Sequence, residues 1–121
     1  MGPMTSAPLE HGAVYLANLN PGRGTEPGKI RPVLVVQHPA LLEAGHPSTL
    51  VIPLTTALAD NAEPLRLRLS ARDKLEQDSD LLVDQLWAID NQRLVGEALT
   101  LCDDGFMAKV FAAVAEVTGF C

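Results

Sequence analysis

Residues 32–37 read PVLVVQ, and the ten residues before them, 22–31, read GRGTEPGKIR. A continuous apolar run without polar alternation is the pattern of a strand covered on both faces, so PVLVVQ is expected at the centre of a sheet with packed layers above and below it. Ahead of it, glycines, prolines and three basic residues form a loop over NPGRGTEPGKIR (20–31), longer than a tight hairpin needs. Loops of that length in a small domain are commonly functional. Pro32 fixes its own φ and pushes the preceding residue towards an extended backbone, so Arg31 is expected at a defined strand entrance. A guanidinium held there can present two parallel donors to a phosphate. For an isolated arginine the commoner fate is a solvated or ion-paired surface, and Arg31 alone does not decide between the two.

Working outward, AVYLANL (13–19) alternates as a first strand. PALLEAG (39–45) has the proline start and glycine stop of a short helical turn. TLVIPLTT (49–56) is a further strand, whose Pro53 implies an edge or a bulge because it cannot donate to a ladder. In PLRLRLS (64–70) the leucines fall on one side and Arg66 and Arg68 on the other. SDLLVDQLWAID (79–90) reads as a strand by its flanks, and RLVGEALTL (93–101) as a sixth, kinked one. From Asp103 the period changes: Phe106, Met107, Val110, Phe111, Val114 and Val117 form the stripe of an amphipathic helix capped by Asp103 and ended by Gly119. The fold class is mainly β (α+β), a small, strongly curved antiparallel sheet or barrel with a short helical turn and a closing C-terminal helix.

The chain has 121 residues, enough for one core, and the expected organisation is a flexible tail over 1–12, with Met4 as an alternative start, followed by a single domain over 13–121. Its 47% hydrophobic and 20% charged content is that of a globular protein. No apolar run is long enough for a membrane helix, and the N-terminus lacks the pattern of a signal peptide. Cys102 and Cys121 show neither metal-ligand spacing nor a disulfide framework, which fits a reducing cytosol, and His11, His38 and His46 are not clustered with acids. Net charge is -6, yet segment 23–37 sets Arg23, Lys29 and Arg31 against Glu26 and is the only positive block. That distribution suits a local anion site and not a broad binder of duplex DNA.

Two further fragments carry candidate chemistry. Thr55 and Thr56 end the third strand with two hydroxyls that could donate to an anionic oxygen, although threonine also simply suits strands. In DQLW (84–87), Gln85 could read a base edge. Trp87, the only tryptophan, is more often a core or interface residue than a stacking platform.

Taken together, GTEPGKIRPVLVV, VIPLTT, SDLLVDQLWAID with QRL, and a last helix opening DD resemble the MazF/PemK family of toxin endoribonucleases, over nearly the whole chain from about Val14 onward. The resemblance implies an SH3-like barrel that forms a homodimer, cleaves single-stranded RNA (mRNA) at short sequences without a cofactor or metal, acts in the cytoplasm, and is neutralised by a MazE-like antitoxin. It places the catalytic arginine on Arg31, the catalytic threonine on Thr55 and a loop glutamate on Glu26. Thr56, Gln85, Lys29 and Arg23 fall to RNA contact. The stiffening Pro27 within Pro27-Gly28-Lys29 departs from the family's varied loop. A rival expectation from the same fold is a toxin that binds a protein target such as DNA gyrase and cuts nothing, which would not need the Arg31 and Thr55 pair.

Overall fold

The structure, a computed structural model, describes residues 9–20, 24 and 29–120. Seven strands form it: β1 (Ala13–Asn18), β2 (Ile30–Val35), β3 (Ser48–Thr55), β4 (Arg66–Leu69), β5 (Ser79–Leu82), β6 (Trp87–Asp90) and β7 (Leu94–Leu101). Two helices complete it, α1 (Pro39–Glu43) and α2 (Asp104–Thr118). The pairing is antiparallel in the order β4-β5-β3-β2-β1-β7, with β6 also on β3.

β2 lies inside the sheet, between β1 and β3, and its residues divide between two cores as the apolar run requires. Leu34 and Val36 join Val14, Ile52, Leu54, Leu81 and the α2 residues Met107, Val110 and Ala113 on one face. Val33 and Val35 join Tyr15, Ala17, Val51 and Ile89 on the other, covered by Leu42 of α1 and flanked by the partly buried Trp87. Trp87 is therefore a packing residue, and its Nε1 is shielded from solvent without a partner among the described residues. The stripe of α2 holds except at Phe111. One step of about 100° from Val110 carries Phe111 to the flank of the helix, where it is 42% exposed and its ring stacks on His11 with centroids 5.8 Å apart. Asp103 caps the helix by accepting from the Phe106 N–H at 2.8 Å, and Gly119 closes it at φ +74°.

Three sequence expectations change. The segment 79–90 is two strands, β5 and β6, separated by a single 3-10 turn at Val83–Gln85, so the described residues form seven strands where the sequence suggested a sixth as the last. The turn redirects the chain so that β5 and β6 follow one another along the same side of β3: β6 pairs with residues 48–51 and β5 with 54–55. Pro53 is consequently not on an edge strand. Leu50 turns its carbonyl to β2, where it accepts from the Val36 N–H at 3.1 Å. By the two-residue alternation of a strand, Pro53 faces away from β2, into the interval where β6 has ended and β5 has not begun. Its missing N–H thus breaks no ladder bond. Finally, residues 9–12, expected in the tail, are tied to the sheet: the Gly12 N–H donates to the Val35 carbonyl at 2.8 Å, and the Gly12 carbonyl accepts from the Cys102 N–H at 2.9 Å.

The sheet curves until its ends approach. Between Val14↔Thr100 and Leu16↔Val95 the β1–β7 register slips, and Gly96, at φ +76°, provides the kink expected in this strand. The bulged part of β7 meets the turn at 72–75 that follows β4. There the Lys74 N–H donates to the Leu99 carbonyl at 3.0 Å, Arg72 to the Leu101 carbonyl at 3.0 Å, and the Thr100 hydroxyl to Asp73 at 2.6 Å. These bonds draw the β4 end towards the β7 end of a sheet that stays open, without a β4–β7 ladder.

Candidate active site

Across β3, β5 and β4 the residues fall into alternating rows. Leu54, Leu81 and Leu67 are in register and point into the core. The next row, Thr55, Asp80 and Arg68, lies on the opposite face, and Leu82 and Arg66 stand two residues further along that face. A cleft of about 500 Å³ opens there, lined by Arg31, Thr55, Arg66, Leu82, Asp84 and Gln85 among others.

Arg31 reaches it from the second residue of β2, where it pairs with Ala17 on β1, and Pro32 pairs with Leu16. Backbone pairing and the proline together fix the point from which the guanidinium extends. Thr55 is the last residue of β3, half-buried, and its Oγ1 accepts from the Ala57 N–H at 3.1 Å. That bond orients the hydroxyl while leaving its proton to be donated to something in the cleft. Gln85 comes from the 3-10 turn between β5 and β6, with Asp84 beside it. Three residues remote in sequence are thus brought to one opening.

The remaining sequence candidates are placed differently. Thr56 is exposed and Lys29 is exposed, and neither lines the cleft. Lys29 ties the approach to β2 to the end of β1: at φ +68°, its carbonyl accepts from the Leu19 N–H at 2.8 Å, and its N–H donates to the Asn20 side chain. Arg93, the arginine of QRL, braces the end of β1 by donating to the carbonyls of Asn18 and Asn20 at 2.9 and 3.0 Å. Arg23 and Glu26 lie outside the described residues.

Sequence reading missed Asp80, Arg66 and Asp84. Asp80 is 1% exposed and accepts from the Ala59 N–H at 2.8 Å, from Arg68 Nε at 2.5 Å and from Arg66 Nη1 at 3.3 Å. Arg68 also donates to Asp60 at 2.8 Å. Burial pushes the Asp80 carboxyl up, but the hydrogen bonds from Arg68, Ala59 and Arg66 and the charge of Arg68 outweigh it and hold the group below the ordinary carboxylate range. An acid inside SDLLV was the available signal, since aspartate is depleted in strands unless something holds it there.

The sign of the pH effect follows. In the folded protein Asp80 binds its proton more weakly than in the unfolded chain, so its contribution to stability is complete above the unfolded carboxylate value of about 4 and is lost as pH falls through the folded value. Asp80→Asn is expected to cost about 1–3 kcal/mol at neutral pH, the cost of lost charge-assisted hydrogen bonds to arginines that can partly rehydrate. Denaturant titrations from pH 7 down to pH 3 should show a shallower acid limb in Asp80→Asn than in wild type. An identical limb in the two proteins would remove Asp80 from the account of acid stability.

A curved antiparallel sheet packed against one long helix, with an arginine and a threonine lining one open cleft, defines the class: a small, mainly β protein with a polar cleft at its strand ends. Residues 10–118 match the family described as the PemK-like, MazF-like toxin of type II toxin-antitoxin systems, and the chain belongs to that family. It is 36% identical over 110 residues to the endoribonuclease EndoA of Bacillus subtilis, covering 88% of this chain and 90% of the relative. It is 33% identical over 110 residues to the endoribonuclease MazF of Staphylococcus saprophyticus, covering 88% of each. Among solved structures, MazF from Deinococcus radiodurans superposes with a TM-score of 0.76 at 22% identity over 94% of this chain and 99% of that one. A mycobacterial endoribonuclease in complex with its cognate antitoxin superposes with a TM-score of 0.72 at 23% identity, over 95% and 98% of the two chains. These two likenesses concern the fold. No helix among the described residues is long and apolar enough to cross a membrane.

Proposed function

We propose that this chain is an RNA-cleaving toxin of a type II toxin-antitoxin pair, a cytoplasmic endoribonuclease that works as a homodimer and is neutralised by an acidic MazE-like antitoxin. The observation that carries the site assignment is the convergence of Arg31, Thr55 and Gln85 on one cleft. Curated relatives above 30% identity named as endoribonucleases support the activity.

The reaction uses the substrate's own nucleophile. The 2'-oxygen of the nucleotide before the cut forms a bond to the adjacent phosphorus as the bond from phosphorus to the 5'-oxygen breaks, giving a 2',3'-cyclic phosphate and a 5'-hydroxyl. One proton leaves the 2'-oxygen and one reaches the 5'-oxygen, so no co-reactant is consumed. The protein must assist deprotonation, stabilise the charged phosphorane and help the leaving oxygen gain its proton. Arg31 performs the second task, because its guanidinium presents paired donors to the non-bridging oxygens. Thr55 adds a neutral donor from the end of β3. Gln85, which also lines the cleft, contacts a base edge. A carboxylate has the chemistry for the base: Glu26 is the loop glutamate that the family resemblance counts with the catalytic residues, and Asp84 is the carboxylate that the described residues bring to the cleft.

A single assay tests the reading. The protein is incubated in EDTA with single-stranded RNAs of varied sequence, and the cut site is then resynthesised with a 2'-deoxy nucleotide. Expected are cleavage that persists in EDTA, cyclic phosphate ends, and complete loss of cleavage on deoxy substitution. Cleavage that survives the deoxy substitution rules out the 2'-oxygen as nucleophile, and an absence of cleavage of any RNA would return the fold to a protein-binding role.

A further inference from the structure

Arg66 and Arg68 stand on the same face of β4, and their bonding separates them. Arg68 commits both Nε and Nη2, to Asp80 and Asp60, and does not line the cleft. Arg66 lines the cleft with Arg31 and Thr55, and its recorded bonds leave from Nη1 alone, to the Ala57 carbonyl at 2.9 Å and to Asp80 at 3.3 Å. Its Nε and Nη2 make no bond to the described residues. Two anchors therefore fix one edge of this guanidinium and leave the other edge as a preformed fork of donors.

We propose that Arg66 is a second phosphate-contacting residue of the cleft, held by the buried carboxylate of Asp80 and gripping a phosphate that flanks the scissile one. The inference rests on the RNA-cleaving reading above. Three observations carry it. First, Asp80 is 1% exposed and sits directly opposite Thr55 in the β3–β5 register, so the residue that anchors Arg66 is built into the same ladder that ends in the reacting site. Second, the Ala57 carbonyl that receives Arg66 belongs to the turn whose Ala57 N–H is bonded to Thr55 Oγ1. Arg66 and Thr55 are thus tied to one peptide segment and hold a fixed spacing. Third, two guanidinia, Arg31 and Arg66, line one opening on a chain of net charge -6, with Asp84 as the carboxylate of the lining and Asp80 shared between Arg66 and Arg68. An arginine buried this far, with 28% of its side chain exposed, would be an inefficient solubilising residue. In this arrangement Asp80 is a positioning residue, acting through Arg66.

The test uses full-length protein and an RNA made uncleavable by a 2'-deoxy nucleotide at the cut, with binding followed by anisotropy over a range of salt. Arg66→Ala is expected to weaken binding about 10-fold to 100-fold, the scale of one hydrogen-bonded charge contact. It should also lower the slope of log affinity against log salt by about 0.7, the loss of one phosphate contact on a single strand. A series of RNAs with one neutral methylphosphonate at each position in turn should contain one flanking position that weakens wild type and leaves Arg66→Ala unaffected. In cleavage of the all-ribose RNA, KM should rise more than kcat falls. Arg66→Lys should restore the salt slope but only part of the affinity, and Asp80→Asn should reproduce a smaller version of the Arg66→Ala defect. Thermal melts confirm that each variant is folded. If wild type cleaves RNA while Arg66→Ala keeps its affinity, slope and methylphosphonate profile, this inference is overturned and the activity stands. If wild type neither binds nor cleaves RNA, both fall.

Discussion

Arg31→Ala should abolish RNA cleavage while leaving the protein folded. A loss of at least about 10³-fold in kcat/KM is expected, the range seen when a charged guanidinium is withdrawn from a phosphoryl transition state. The size follows from where charge develops. In the ground state the phosphodiester carries one negative charge that water solvates well, whereas the phosphorane gathers more charge on its non-bridging oxygens within a cleft partly closed to solvent. A fixed guanidinium interacts more strongly with the second state than with the first, so its removal should fall on kcat more than on KM. Arg31→Lys should recover only a small part, because an ammonium keeps the charge and loses the planar pair of donors. Stability should change little: Arg31 is half-buried at the entrance of β2 and belongs to neither core, and Pro32 still sets the backbone in the variant. Single-turnover cleavage of a fluorogenic RNA, together with a thermal melt within a few degrees of wild type, checks both halves. Wild-type rates in a folded Arg31→Ala protein would end the assignment of this site.

The position of Arg31 at the entrance of a strand was legible in the sequence because its determinants are local. Proline acts on the residue before it, and an apolar run of β-branched residues needs no partner to announce that it is covered on both sides. The same holds for α2, whose cap, stop and period lie within a single segment. Pro53 was misread for the opposite reason. A proline reports that one N–H is absent, but whether that absence falls on an outer edge or in a gap between two partner strands depends on how 79–90 divides, and SDLLVDQLWAID shows no glycine or proline at the division. The Asp80 network was hidden likewise: the alternation in PLRLRLS shows that Arg66 and Arg68 share a face, yet only the register of β4 on β5 reveals the carboxylate opposite them. Function in this fold is assembled by register, and register is a property of strand pairs.

Thr55→Val should lower kcat by about 10²-fold to 10³-fold, the effect of deleting one preorganised neutral donor worth about 2.7–4 kcal/mol at a developing oxyanion. Valine is the informative replacement because it preserves the branched shape and the strand preference at the end of β3, so the change is confined to the hydroxyl. It also removes the acceptor of the Ala57 N–H, a bond on the exposed side of the turn that water can replace, at a cost of about 1 kcal/mol or less. Thr55→Ser, which keeps the hydroxyl and the turn, should stay within about tenfold of wild type. The two site variants are not expected to add. In the proposed reaction Arg31 and Thr55 address oxygens of the same phosphorane, so once the guanidinium is gone the transition state is no longer held where the hydroxyl can meet it, and Thr55→Val in an Arg31→Ala background should cost far less than in wild type. A full 10²-fold loss in that background would mean that the two residues act in separate steps. It would leave Thr55 contacting RNA elsewhere than at the scissile phosphate.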